Sequence, residues 1–331
     1  MNVKIKKNIL LSQFTTFKIG GPAKYFCEIK TLDELKEALN FAKKNKLEIF
    51  VLGGGSNLLI SDKGFDGLVV KVSSSKFSAP AKGGQAGGSA SGGKNSYIEA
   101  EMGVPLGKIV IETINKGLSG MEWAAGIPGT LGGAIRGNAG AFGGSMSNVI
   151  KSVSAVDLKT GNIKKFNNSE CLFAYRESAF KKRNNLLIWS AELSLKKGNK
   201  KALKEKISET MRYRQSRHPL DYPSFGSAFK NIYDKKIIKK ITEKFSDAKE
   251  NMEKWGNKIP AAYLVDKCGL KGKTIGGIMI SLKQPNFLLN VKNGKAQDAL
   301  ALINIIKKSV VEKFGVILEL EVQLVGPFTG R

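Results

Sequence analysis

The sequence predicts a protein of mixed helices and strands in two or three subdomains, and three observations carry that prediction. A chain of 331 residues is long for one core. Short apolar runs of strand length alternate with stretches whose apolar residues recur at helical spacing. Between two such runs, Ser78 to Gly93 is almost wholly Ser, Ala, Gly, Lys and Pro, linker chemistry with nothing to pack. Apolar residues make up 42% of the chain and charged ones 25%, the balance of a globular protein rather than a disordered or fibrous one.

The elements follow in order. Thr31-Leu32-Asp33-Glu34 reads as a capping box opening a helix, with Leu35, Leu39 and Ala42 at helical spacing behind it. Glu48 to Leu52 is a short buried strand that runs into Gly53-Gly54-Gly55-Ser56-Asn57, and Gly67 to Val72 is another, so the first 72 residues form a small βαβ-type unit. The segment 78–93 is expected to be a mobile surface loop without catalytic function, because strand character resumes at Ser96 to Glu101. Pro105 to Lys116 reads as a helix closed by Gly117. Two or three strands are expected between Ser152 and Leu195. A helix from about Lys200 to Arg214 opens a lysine-rich final third, followed by a short helix at Pro260 to Cys268 and an amphipathic one at Ala296 to Phe314. The chain closes on an alternating stretch, Val316 to Val325, read as a strand with Glu319, Glu321 and Gln323 on one face.

Charge and cysteine usage narrow the class. The net charge of +26 attracts polyanions, either nucleic acid or a diphosphate, but most of it reads as a solvated lysine-rich surface. No helix-turn-helix, zinc-finger, RNP or KH pattern is visible, so no nucleic-acid partner is expected. Cys27, Cys171 and Cys268 are far apart and form no CxxC pair, which suggests neither a metal site nor a disulfide framework. No run approaches the ~18 apolar residues of a membrane span, and the basic Met1 to Leu11 lacks a secretory apolar core. A cytoplasmic protein without membrane insertion is expected.

Two glycine-rich loops dominate the chemistry. A loop that cradles a pyrophosphate needs close backbone approach and inward N–H groups, and glycine permits both. The first loop is Gly53 to Asn57. The second, Gly126 to Gly144, holds eight glycines in nineteen residues. Neither is a Walker A, and the first lacks the following helix of a dinucleotide fingerprint, since Ser61-Asp62-Lys63-Gly64 breaks the chain. Together they favour a nucleotide cofactor held outside a Rossmann fold. The alternative is tight turns between strands.

Three further places can carry chemistry. Arg176 in Tyr175-Arg176-Glu177-Ser178 can clamp an anion or a developing oxyanion, or simply pair with an acid. Ser227, between Gly226 and Ala228, is sterically free to donate a proton, or is an ordinary turn residue. The single histidine, His218, stands next to Pro219 and reads as a loop residue, so no histidine-based triad is expected. Glu319 and Glu321 share a strand face that is otherwise the solvated side of an edge strand.

In combination these segments resemble one family, the UDP-N-acetylenolpyruvoylglucosamine reductases (MurB), in the shorter subtype. Family-like stretches run in order through Thr16 to Ala23, Leu52 to Leu59, Gly126 to Gly144, Tyr175 to Lys181, Pro223 to Asn231, Pro260 to Gly272 and Leu320 to Val322. The resemblance implies a flavin domain of the vanillyl-alcohol-oxidase (PCMH) type. Residues 1–72 and 73–198 would be its two α+β subdomains, and residues 199–331 an α+β substrate domain. It implies FAD as cofactor, NADPH as reductant, and UDP-N-acetylglucosamine enolpyruvate as the molecule reduced to UDP-N-acetylmuramate for peptidoglycan. A hydride passes from flavin N5 to C3 and a proton to C2. A monomer is expected.

By the same resemblance, Ser227 is the proton donor, and Arg176 and Glu321 stabilise the enolate-like intermediate. Gly53, Gly54, Gly55, Ser56, Asn57, Leu58, Pro128, Gly129, Thr130, Gly132, Gly133, Asn138 and Gly140 hold the FAD. Arg212, Arg217, Lys230 and Asn231 face the substrate. Thr15 departs from the family's usual Asn, and Arg136 puts a charge into a usually apolar stretch, at the FAD pyrophosphate or in solvent. The competing readings are another flavin oxidase of the same type, such as an alcohol oxidase, and a basic nucleic-acid-binding protein.

Overall fold

The computed structural model describes residues 3–78 and 96–328. The predicted mobile loop at 78–93 lies, beyond Ser78, outside the described residues. Two compact units carry the chain, and neither is one stretch of sequence. The first comprises residues 1–9, 23–54 and 66–216, and the second residues 10–22, 55–65 and 217–331.

Among the described residues the first unit holds two larger sheets and a two-stranded one. In the four-stranded sheet the strand order is Lys6–Leu10, Pro22–Ile29, Phe65–Val72, Ile49–Leu52. The last two run parallel, Ile49 opposite Leu68 and Leu52 opposite Lys71. The helix Leu32–Lys44 starts on the expected capping box, Thr31 accepting from the Glu34 amide while Glu34 returns a carboxylate to the Thr31 amide. Its buried stripe is Leu35, Ala38, Leu39 and Ala42. The larger sheet is ordered Ile163–Asn167, Ile150–Asp157, Leu186–Lys197, Ser96–Glu101, Phe77–Ser78, with Leu118–Ser119 also on Leu186–Lys197. The glycine-rich stretch 126–144 is more structured than a loop. It contains the short helix Leu131–Arg136 and a hairpin pairing Gly140–Ala141 with Gly144–Ser145.

The second unit packs helices on a three-stranded antiparallel sheet, Thr274–Ile275, Ile278–Ile280 and Leu288–Asn290. The helix Ala296–Phe314 has the predicted bounds and buries Ala299, Leu302, Ile303, Ile306 and Val310 along one face. Each fully buried Leu or Ile is worth about 1.5–3 kcal/mol. Gly315 ends the helix at φ 66°, its N–H returning to the Val311 carbonyl at 2.8 Å. The helix Lys235–Lys244 was not foreseen. Its signal is present in the sequence: Asp234 caps two amides, and Ile237, Ile238 and Ile241 follow at helical spacing.

The terminal strand needs correction. Only Gln323–Val325 forms one, parallel to Leu58–Ile60. Residues 316–322 keep the alternation, with Val316, Leu318 and Val322 buried and Ile317 exposed. Their backbone pairs with an irregular segment instead of a ladder: the Lys230 amide donates to the Glu319 carbonyl at 2.9 Å and the Glu321 amide to the Ala228 carbonyl at 2.9 Å.

Candidate functional site

The candidate residues fall into both units, and each group is built by its own local chemistry.

In the first unit Gly53 and Gly54 leave the strand Ile49–Leu52 and run against Gly129 and Thr130. A Cβ on Gly54 would lie 2.5 Å from the Gly129 Cα and 3.2 Å from the Thr130 nitrogen. A Cβ on Gly53 would lie 2.9 Å from the Thr130 Oγ1. Nearby, Gly132 packs so closely on Met102 that a Cβ would meet its Cβ at 2.8 Å, and Gly129 has φ 116°. Gly133 has only ordinary room, 3.7 Å from Thr130. At Gly54 the contact is backbone to backbone, and a side chain there would break it.

The Thr130 Oγ1 is buried without a hydrogen-bond partner among the described residues. An orphaned hydroxyl costs about 1–3 kcal/mol, and it sits where Gly53 and Gly54 run close against Gly129, the kind of glycine-rich loop that can cradle a phosphate. The residues present therefore fit a pyrophosphate-bearing cofactor. Pro128 precedes this loop and is exposed.

A second orphan is Arg214, which the sequence reading passed over for its neighbours Arg212 and Arg217. Arg212 and Arg217 are exposed, whereas Arg214 is 8% exposed. Its Nε donates to the Ala125 carbonyl at 2.7 Å, its guanidinium lies 5.2 Å from the Phe142 ring centroid, and its Nη2 is buried without a hydrogen-bond partner among the described residues. Burial pushes its pKa below the usual arginine value. The sequence signal was positional: Arg214 continues the inward stripe Leu203, Ile207, Thr210 of its helix, at spacings of four, three and four.

Arg176 sits at the tip of a tight turn. Ala174 and Glu177 exchange backbone hydrogen bonds of 3.1 and 3.0 Å, leaving Tyr175 and Arg176 as the two turn residues. Arg176 has φ 57°, at the turn position that ordinarily takes Gly or Asn. That conformation costs an L-residue about 1–2 kcal/mol.

Several ties hold it. The Arg176 Nη2 donates to the Gly140 carbonyl at 3.0 Å, and the Lys181 Nζ to the Arg176 carbonyl at 2.8 Å. The Asn138 Nδ2 donates to the Ala174 carbonyl at 2.9 Å, and the Ser178 hydroxyl to the Arg136 carbonyl at 2.7 Å. Asn138 and Gly140, expected to face a cofactor, thus also fasten the glycine-rich stretch to the arginine turn. Burial lowers the Arg136 pKa, and the Glu177 carboxylate opposes that shift.

In the second unit Gly55 is pinned by Phe14, whose carbonyl oxygen would be 2.0 Å from a Cβ, and has φ 62°. Ser56 follows it. Leu58 begins the strand paired with Gln323–Val325. Asn57 donates from Nδ2 to the Glu321 carbonyl at 3.0 Å, and its own carbonyl accepts from the Gln323 amide. Ser227 lies after Gly226 (φ 82°, with open space around its Cα) and bridges Phe287. Asn286, 5% exposed, fixes the next residues: its carbonyl takes the Ala228 amide at 2.8 Å, its Oδ1 the Phe229 amide at 3.0 Å, and its Nδ2 donates to the Phe229 carbonyl. Ala228 in turn accepts from the Glu321 amide, so the Ser227 turn and the Glu321 segment are held side by side.

The two carboxylates differ in their engagements. Glu319 is largely exposed and pairs with the Lys230 Nζ at 3.1 Å, whereas Glu321 is half-buried next to the serine turn. Asn231 uses its Oδ1 to accept the Ala261 amide at the start of the helix Ala261–Lys267. Sequence reasoning had no access to Asn286, because its value lies wholly in contacts made across 57 residues of chain.

Comparison with known proteins defines the class first. The chain matches the description "FAD binding domain" over residues 23–167, which covers the glycine cradle and the arginine-turn hairpin partner Gly140. Residues 218–325 match "UDP-N-acetylenolpyruvoylglucosamine reductase, C-terminal domain". A reductase of that name from Clostridium novyi is 36% identical over 98% of this chain and 92% of its own length. One from Carboxydothermus hydrogenoformans is 36% identical over 97% and 94%. The crystal structure of UDP-N-acetylenolpyruvylglucosamine reductase from Thermus caldophilus superposes with a TM-score of 0.73 at 28% identity, covering 98% of this chain and 100% of that one. The chain belongs to the UDP-N-acetylenolpyruvoylglucosamine reductase family, and its fold is the α+β, FAD-binding PCMH type with a C-terminal reductase domain.

Proposed function

We propose that this protein is a UDP-N-acetylmuramate dehydrogenase: it reduces UDP-N-acetylglucosamine enolpyruvate with NADPH through bound FAD. The observation that carries the reading is 36% identity over nearly the whole chain to reductases of that name, joined to a glycine cradle whose buried Thr130 hydroxyl lacks a partner among the described residues. In this reading residues 1–72 and 73–198 serve the flavin and residues 199–331 the sugar nucleotide. The enzyme works as a monomer in the cytoplasm, feeding peptidoglycan synthesis and through it cell shape and division. Among the described residues no helix is long and apolar enough to cross a membrane.

When bound, FAD would supply the hydride-transfer chemistry, with NADPH as reductant and C3 of the enolpyruvyl group as acceptor. Gly53, Gly54, Gly129, Thr130, Gly132 and Gly133 would hold its pyrophosphate, with Gly55, Ser56, Asn57, Leu58, Pro128, Asn138 and Gly140 completing the loops. Hydride addition at C3 drives negative charge onto C2 and the carboxylate. Arg176 meets that charge with a guanidinium, for which a bidentate grip on a carboxylate is the favoured geometry. Ser227 donates the proton to C2. A hydroxyl is a weak acid, so it needs a polarising neighbour, and Lys230 and Asn231 are assigned to that; Glu321 is assigned with Arg176 to the enolate-like intermediate. Lys230, Asn231, Arg212 and Arg217 are assigned to the substrate side.

The test is anaerobic turnover with NADPH in deuterated water. One solvent deuteron at C2 and one reductant hydride at C3 of the lactyl product support the assignment. Oxidation of simple alcohols by oxygen with no turnover of the enolpyruvyl sugar contradicts it.

A further inference from the structure

We propose that Lys181 is a positioning residue for Arg176: its ammonium locks the arginine's backbone in the left-handed conformation from which the side chain works. The proposal rests on the assignment of Arg176 to the reaction. The Lys181 Nζ lies 2.8 Å from the Arg176 carbonyl and 3.2 Å from the Glu177 Oε1. It thereby ties the carbonyl of the strained residue to the side chain of the next one. Both side chains are 26% exposed, so the charge-assisted bonds are only partly screened.

Lys181 can reach back because of its own local structure. Ser178 is the N-cap of the helix Ala179–Lys182, accepting the Lys181 amide at 3.2 Å, and the same Ser178 hydroxyl donates to the Arg136 carbonyl. The helix stub is therefore anchored to the glycine-rich stretch before the lysine turns back to the arginine. The result is a closed circuit: Arg176 side chain to Gly140, Arg176 carbonyl to Lys181, Lys181 helix to Ser178, Ser178 to Arg136, with Gly140 and Arg136 in one segment. A residue at φ 57° persists only where its surroundings over-determine it. The Lys181 ammonium is the member of this circuit that acts on the strained peptide itself.

The test compares Lys181→Met, Lys181→Arg and Arg176→Lys in the FAD-loaded protein. Two readouts are used: the rate at which the enolpyruvyl UDP-sugar reoxidises NADPH-reduced flavin, and hydrogen exchange at the Glu177 amide, which bonds to the Ala174 carbonyl. A misplaced catalytic group costs about 10- to 100-fold. Lys181→Met is expected to slow maximal reoxidation by that factor, with a smaller change in the sugar's KM, and to speed exchange at Glu177. Lys181→Arg, which keeps a charged donor, restores most of the rate.

In an Arg176→Lys background, Lys181→Met adds little further loss, because two residues acting as one unit are not additive. Parental reoxidation in Lys181→Met alongside a crippled Arg176→Lys overturns the positioning role and leaves the arginine's role standing. Parental reoxidation in both overturns the assignment of Arg176 and this inference with it. Should the Met variant not fold, Lys181→Ala is judged by the same two readouts.

Discussion

Replacing Thr130 with Val should move two quantities in opposite directions. The two side chains have nearly the same shape, so the change removes a hydroxyl and little else. In the flavin-free protein the Thr130 Oγ1 is buried and without a partner among the described residues, and an unmade hydrogen bond of that kind costs about 1–3 kcal/mol. A methyl in its place relieves this cost. Unfolding of the flavin-free variant should therefore occur about 2–4 °C higher for each kcal/mol regained, the scale for a unit of this size.

With FAD bound, the hydroxyl instead meets a phosphate, and a hydrogen bond to a charged group is worth about 1.5–3 kcal/mol. The variant forfeits it, so its Kd for FAD should rise by about 10- to 150-fold. The assay is FAD titration of the stripped protein by flavin fluorescence, beside thermal unfolding of the same stripped sample. A variant that binds FAD as tightly as the parent refutes the phosphate role of this hydroxyl. A variant whose stripped form is less stable refutes the claim that the hydroxyl is orphaned there.

Other perturbations are equally definite. Gly54→Ala places a methyl 2.5 Å from the Gly129 Cα, and overpacking of this sort costs about 1–3 kcal/mol. FAD retention on dialysis should fall accordingly. Gly107→Ala, with nothing within 4 Å on the helix Leu106–Asn115, should instead raise the melting temperature, being worth about 0.5–1 kcal/mol. Ser227→Ala should slow sugar-dependent flavin reoxidation by about 100- to 10,000-fold, the usual scale for a lost acid, as measured by stopped-flow absorbance. Thiol titration at pH 8 should find only Cys268 reactive in the native protein. Cys27 and Cys171 are both fully buried, and burial pushes each thiol up to about 12, so the reactive thiolate is scarce. All three cysteines should react after denaturation.

What the sequence disclosed followed from how local each signal is. The helix Ala296–Phe314 and the capping box at Thr31 were legible because period and cap lie within a few residues. The glycines of both loops and Ser227 could be singled out as candidates for the same reason, since a motif is contiguous. The terminal strand misled because alternation of burial was taken for a ladder. Burial on one side fixes which residues point inward, but not whether the backbone's partner is a strand or the irregular segment at Ala228 and Lys230. Arg214, Asn286 and Lys181 were missed because each is defined by partners far along the chain or by the fate of a backbone carbonyl. No composition or spacing reports such a partner, although the helical stripe through Leu203 and Thr210 did mark Arg214 as inward-facing.

The account's central claim meets its most direct test in the visible absorption spectrum of the purified protein. The spectrum is recorded anaerobically before NADPH, after it, and after the enolpyruvyl UDP-sugar. The account predicts a yellow protein that bleaches with NADPH and regains its colour on addition of the sugar. A colourless protein that added FAD cannot reconstitute, or a bleached one that the sugar leaves bleached, would contradict it.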